Sequence, residues 1–197
     1  MAEFAIACFL LLITPGPGVL SVAGVGSGFG FKAGFSYLWG LCAGNFAVGM
    51  AVASGLAALV FSVPYVRPIL LFASVAYLTY LAAKIAFSGS KIALVAPANE
   101  PAFRDGFTLQ FINPKAYAVN TTLFTGFSLL QSSYFAEVAL KIVIFNAFWI
   151  PIHFLWLGAG VWLKRLNLPN GLQRAINMTM AITMLMVVGL ALWTNRA

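Results

Sequence analysis

The sequence predicts an all-α polytopic membrane protein of six transmembrane helices, built as a 3+3 inverted repeat in which the first and fourth helices are broken. Three observations predict it. Of 197 residues, 62% are hydrophobic and 8% charged, and no soluble domain of this size covers such a composition with polar surface. Apolar runs of about 20 residues, the length a bilayer requires, follow one another and leave little room for anything else. The first and fourth of these runs are interrupted, by Thr14-Pro15-Gly16-Pro17 and by Asn113-Pro114-Lys115.

Taken in order, the spans fall at about 4–26, 36–61, 66–87, 106–128, 136–163 and 174–194. The chain therefore reads as one transmembrane domain over 1–197, with half-repeats at about 1–87 and 106–197 connected by the polar stretch 88–105. The first run looks like a signal peptide, but only Glu3 is charged ahead of it and the apolar character resumes beyond Pro17. It is expected to remain as a span. Across the first two spans, Gly24/Gly28, Gly26/Gly30, Gly30/Gly34 and Gly40/Gly44 repeat at i, i+4, which puts small residues on one helix face. That spacing suits either close packing of the first two helices or a homodimer face, and Gly26 to Gly34 also suits a turn. Three spans on each side of the connection mean that the second copy is inverted, because an odd number of crossings flips it. Interrupted helices at matching positions of two such halves point to a transporter binding site near the midplane.

Lysine and arginine number 11 against 4 acids, for a net charge of +7. Nucleic-acid binding needs basic patches on a soluble surface. These cations instead sit at the ends of apolar runs, where they orient the chain and meet anionic lipid head groups. The connections after spans one, three and five carry Lys32, Lys84, Lys91, Arg104, Lys164, Arg165 and Arg174, whereas the other side has Arg67, Lys141 and Arg196. The excess places the first group in the cytoplasm and both termini outside. Cys8 and Cys42 fall within apolar runs and read as small packing residues, not as a disulfide or metal pair.

The two breaks share a grammar. Threonine and asparagine are helix N-caps, and proline suits the first helical position, where its missing N–H would be unpaired anyway. Thr14-Pro15 and Asn113-Pro114 are each expected to restart a half-helix inside the membrane. A restarted N-terminus offers free N–H groups and the positive end of a helix dipole, which suit a carboxylate, and Lys115 adds a full charge. The alternative is a pair of kinks in packed helices with Lys115 snorkelling to an interface. Against it, Lys115 lies about ten residues into its span, near mid-depth at ~1.5 Å per residue. The amides Asn45, Asn120 and Asn146 suit either a substrate ammonium or a bridge between helices. His153, the one histidine, suits either a coupled proton or a structural hydrogen bond. Glu3, Glu100, Asp105 and Glu137 all lie near span ends or in connections. One histidine and four such acids do not assemble an enzyme's nucleophile, base or metal site, so no catalysis, cofactor or metal is expected.

At these residues the sequence resembles the LysE/RhtB family of amino-acid exporters along nearly its whole length. TPGP with GFGFKAGFSYLWGLCAGN is similar to the family's opening, AYLTYLAAKIAFS to its third span and GFTLQFINPKA to its fourth. The resemblance implies a six-helix carrier in a bacterial inner membrane that exports amino acids or close derivatives, driven by a proton or ion gradient. The matching site positions are Thr14, Pro15, Gly16, Pro17, Asn113, Pro114 and Lys115. Position 18 is Gly where many members have Asn or Asp, and position 45 is Asn where some carry an acid, so those acidic roles are not carried over. LQFINPK, AAKIAFS and FNAFWIPIHFLWLGAG are similar to members that export cysteine and O-acetylserine. With no intramembrane acid to pair a cationic side chain, a small neutral amino acid is the expected substrate. The alternative is a channel-like or scaffold protein whose breaks serve packing alone.

Overall fold

The computed structural model describes residues 1–63, 65–86, 100–166 and, further on, 168–169, 171–172, 174–179, 182–183 and 186, without the side chains of residues 67, 84 and 86. Most of the predicted sixth span, and the connection from 88 to 99, lie outside the described residues. Within them every regular element is a helix: α1 (Ala2–Ile13), α2 (Pro17–Phe29), α3 (Phe31–Ala53), α4 (Leu56–Phe61), α5 (Val66–Ala86), α6 (Phe103–Ile112), α7 (Pro114–Gly126) and α8 (Tyr134–Arg165). By length and composition α3 and α8 can each cross a bilayer alone, and α1 with α2 makes a third span bent by 49°.

The breaks follow from local chemistry. A residue before proline is pushed out of the helical region. Thr14 is extended at ψ 121° and Gly16 at ψ 179°, so the chain restarts at the second proline, Pro17. This corrects the expected cap. Thr14 ends α1, with its hydroxyl donating to the Leu10 carbonyl at 2.7 Å, and Gly16 occupies the N-cap of α2. Asn113 precedes a single proline and restarts the chain at once, its Oδ1 accepting from the Lys115 N–H at 3.0 Å. Such a cap contributes about 1 kcal/mol. Between α2 and α3 the reversal is made by Gly30 alone, at φ 93°, a conformation that favours glycine. Gly55, at φ 78°, splits the predicted second span after Ala53 in the same way.

The glycine ladder bears out close packing of the first two helices only in part. Gly26 and Gly34 do bring α2 and α3 together, but most of the ladder faces other helices. A Cβ on Gly40 would overlap the Phe103 carbonyl of α6, and one on Gly44 would lie 2.8 Å from the Phe107 oxygen. From the other side, Gly106 of α6 abuts the Tyr37 carbonyl of α3, and Gly160 of α8 abuts the Ala23 carbonyl of α2. The main packed pairs are accordingly α3 on α6 and α2 on α8, each with backbone against backbone. Gly40→Ala is expected to lower the thermal midpoint of the purified protein, by the ~1–3 kcal/mol that overpacking costs, because the obstructing atoms are main chain and cannot swing away. Gly158→Ala, where the new Cβ meets nothing within 4 Å, is the control that leaves it unchanged.

Lys141 was counted among the loop cations but is buried. Its Nζ donates to the carbonyls of Phe124 (2.8 Å) and Phe127 (2.5 Å) and pairs with Glu137 at 2.7 Å. It thereby satisfies carbonyls left open where α7 ends. Lys164 does the same at the end of α2, donating to the Gly28 carbonyl at 3.2 Å.

Candidate functional site

The breaks at 14–16 and 113–115 meet. Lys115 leaves the first turn of α7, crosses to α1 and donates to the Thr14 carbonyl at 2.5 Å. Its stem and ammonium lie over Gly16, where an added Cβ would come 2.7 Å from Cδ and 3.0 Å from Nζ. Gly16 has an extended backbone (φ −159°, ψ 179°) that any residue can adopt, so space and not conformation calls for glycine here. Beyond Gly16, α2 begins without a side-chain cap. The N–H groups of Gly18 and Val19 belong to a first helical turn, which has no acceptors of its own, and both residues line the cavity. The two half-helix starts are therefore not equivalent. Asn113 spends its side chain on the start of α7, whereas α2 presents its positive end to the cavity, with the Lys115 ammonium beside it.

The cavity is walled by α1, α2, α3, α6, α7 and α8, and its polar lining is Thr14, Asn45, Gln110, Asn113, Lys115 and His153. A chain of amides forms one wall. Asn113 Nδ2 donates to Gln110 Oε1 (3.3 Å), Gln110 Nε2 to Asn45 Oδ1 (3.0 Å), and Asn120 Nδ2 to the same Asn45 oxygen (3.1 Å). His153 forms the floor, stacked on Trp149 with centroids 3.5 Å apart. Its Nδ1 lies 2.8 Å from the Trp149 carbonyl, which fixes that nitrogen as the donor. In the neutral ring Nε2 is then an acceptor, and it faces Gly18, which Gln110 Oε1 also faces. Among the described residues no carboxylate lines the cavity. Its free space is ≈ 40 Å³, room for about three waters.

Of the positions singled out from the sequence, Thr14, Gly16, Asn45, Asn113, Lys115 and His153 line this one cavity, and Pro15, Pro17 and Pro114 do not. The prolines shape the breaks instead: Pro17 and Pro114 open α2 and α7, and Pro15 lies between α1 and α2. Gln110, Phe145 and Trp149 also line the cavity and were not anticipated. Gln110 had a signal, since an amide three residues before Asn113 shares its helix face. Phe145 and Trp149 had none in a run that is apolar all round. Among the described residues no group of three His, Cys, Asp or Glu is placed to hold a metal ion.

Two helices long and apolar enough to cross a bilayer, and a third span broken at a polar cavity that the α6–α7 break also lines, fit a polytopic membrane protein. The chain belongs to the LysE type translocator family, whose sequence pattern matches residues 9–196. No curated protein and no solved structure matches it.

Proposed function

We propose that this translocator is a secondary transporter that exports small neutral amino acids or close derivatives across a bacterial inner membrane, driven by a proton or ion gradient. One observation carries the reading: the uncapped start of α2 lies next to the Lys115 ammonium inside a cavity that no carboxylate lines among the described residues. A helix N-terminus and a cation together recognise a carboxylate. The α-carboxylate binds across Gly16, Gly18 and Val19, drawing Lys115 from the Thr14 carbonyl, and the α-ammonium donates to His153 Nε2. Asn45, whose NH₂ has no acceptor among the described residues, completes the polar contacts. In this reading His153 is a binding residue, with proton coupling a second role.

The packing also supports two inverted halves of three spans. Each broken span lies on the second span of the other half: α1 and α2 on α8, and α6 and α7 on α3. This reciprocity is what a pseudo-two-fold axis in the membrane plane requires. Counterflow in proteoliposomes tests the reading. Vesicles preloaded with alanine, serine, cysteine, threonine or homoserine are expected to take up labelled substrate, and vesicles preloaded with lysine or glutamate are not. Flux without counterflow points to a channel, and no flux for any amino acid in folded protein points to a scaffold.

A further inference from the structure

A second, smaller cavity lies against the first. It is lined by Asn45, Phe46, Gly49 and Met50 of α3, Asn120 and Phe124 of α7, and Ile142, Phe145 and Asn146 of α8. Asn45 and Phe145 line both cavities. Relative to the first, the lining steps forward along α3 and α7 and backward along α8. All three shifts point toward the face where α3 and α7 end and α8 begins. From Asn45 to Met50 the step is about 7.5 Å at 1.5 Å per residue. Free space there is ≈ 10 Å³, about one water.

Two amides of this cavity, Asn120 and Asn146, present acceptors to it. Asn120 Nδ2 is engaged by Asn45 Oδ1 and, at 2.8 Å, by the Ala116 carbonyl, and Asn146 Nδ2 by the Ile142 carbonyl at 2.9 Å. Those bonds fix which amide atom is nitrogen, leaving Oδ1 of each residue without a donor among the described residues. Asn120 Oδ1 faces Gly49, where an added Cβ would come within 2.9 Å. Amide oxygens with no donor in an apolar bundle suit an ammonium, and they contrast with the cationic first cavity.

We infer that the second cavity is the next station on the transport route, a subsite that takes the substrate's ammonium on the amide oxygens of Asn120 and Asn146, with the Phe145 ring as the barrier between the two. The inference rests on the transport reading for its substrate. Phe145 is 2% exposed, belongs to the core and lines both cavities. Its ring holds no hydrogen bond, so its rotation breaks none.

The test uses the full chain in proteoliposomes, with Cys8→Ala and Cys42→Ala and a single new thiol at Asn146→Cys or, as a second probe on the same wall, Met50→Cys. Membrane-impermeant trimethylammonium-ethyl and sulfonatoethyl methanethiosulfonates are compared by mass spectrometry. The cation-to-anion rate ratio at Asn146→Cys is expected to exceed that of a free thiol in solution roughly tenfold. Reaction of neither reagent at either thiol overturns the route, even where counterflow is intact. A ratio no higher than that of the free thiol overturns the ammonium subsite. Labelling with the cation preferred, in protein that shows no amino-acid counterflow, upholds the cationic route and removes the amino acid as its cargo. Separately, Phe145→Ala is expected to raise net efflux relative to exchange severalfold, and an unchanged ratio overturns Phe145 as the barrier.

Discussion

Lys115→Ala is expected to reduce counterflow roughly a hundredfold while leaving the thermal midpoint within a degree or two of wild type. The loss corresponds to about 3 kcal/mol, the upper end for a hydrogen bond to a charged group, because this ammonium is the single full charge in the cavity lining among the described residues. The fold does not depend on it. Lys115 is part-buried at the first turn of α7, and the turn is capped by Asn113, not by the lysine head group. The Thr14 carbonyl it holds is exposed. Lys115→Met, which keeps the stem over Gly16 and removes the charge, is expected to lose as much transport as Lys115→Ala. Transport retained by both would take Lys115 out of the site.

Gly16→Ala is expected to lower transport roughly tenfold, about 1.4 kcal/mol, again with little change in stability. The new methyl group meets the Lys115 stem and ammonium at 2.7 and 3.0 Å. A flexible side chain moves away from such a contact at small cost, so the protein folds, but the ammonium leaves its place beside the start of α2. The effect therefore runs through Lys115. In the Lys115→Ala background Gly16→Ala should add almost nothing, a non-additivity that marks two residues acting on one group. A full additional loss in the double variant would mean that Gly16 acts in some other way.

The breaks were legible because proline and glycine are the strongest punctuation in an apolar run, and a lysine at mid-span stands out against lipid. The cap at the first break was not read correctly. Thr14 has the chemistry of an N-cap, but Thr14 and Gly16 each precede a proline and are both extended, which moves the restart two residues on, from Pro15 to Pro17. That shift gives the cavity an uncapped helix start at α2, while the start at α7 is closed by Asn113. The glycine spacing was visible, yet its partners were not, since i, i+4 spacing shows that a face is small and not which helix meets it. Gly40 and Gly44 meet α6, from the other half of the chain. Phe145 and Trp149 lie in α8, whose run of apolar side chains has no distinguishable face. Lys141 illustrates the converse, a cation near a span end that serves buried carbonyls instead of a head group.

The claim most in need of a direct measurement is that the cavity recognises a carboxylate. Wild-type proteoliposomes preloaded with alanine should drive uptake of labelled alanine, and those preloaded with alaninamide, which keeps the ammonium and the side chain but has no carboxylate, should drive none. Equal counterflow from the amide would show that neither Lys115 nor the start of α2 reads the carboxylate, and would contradict the account at its centre.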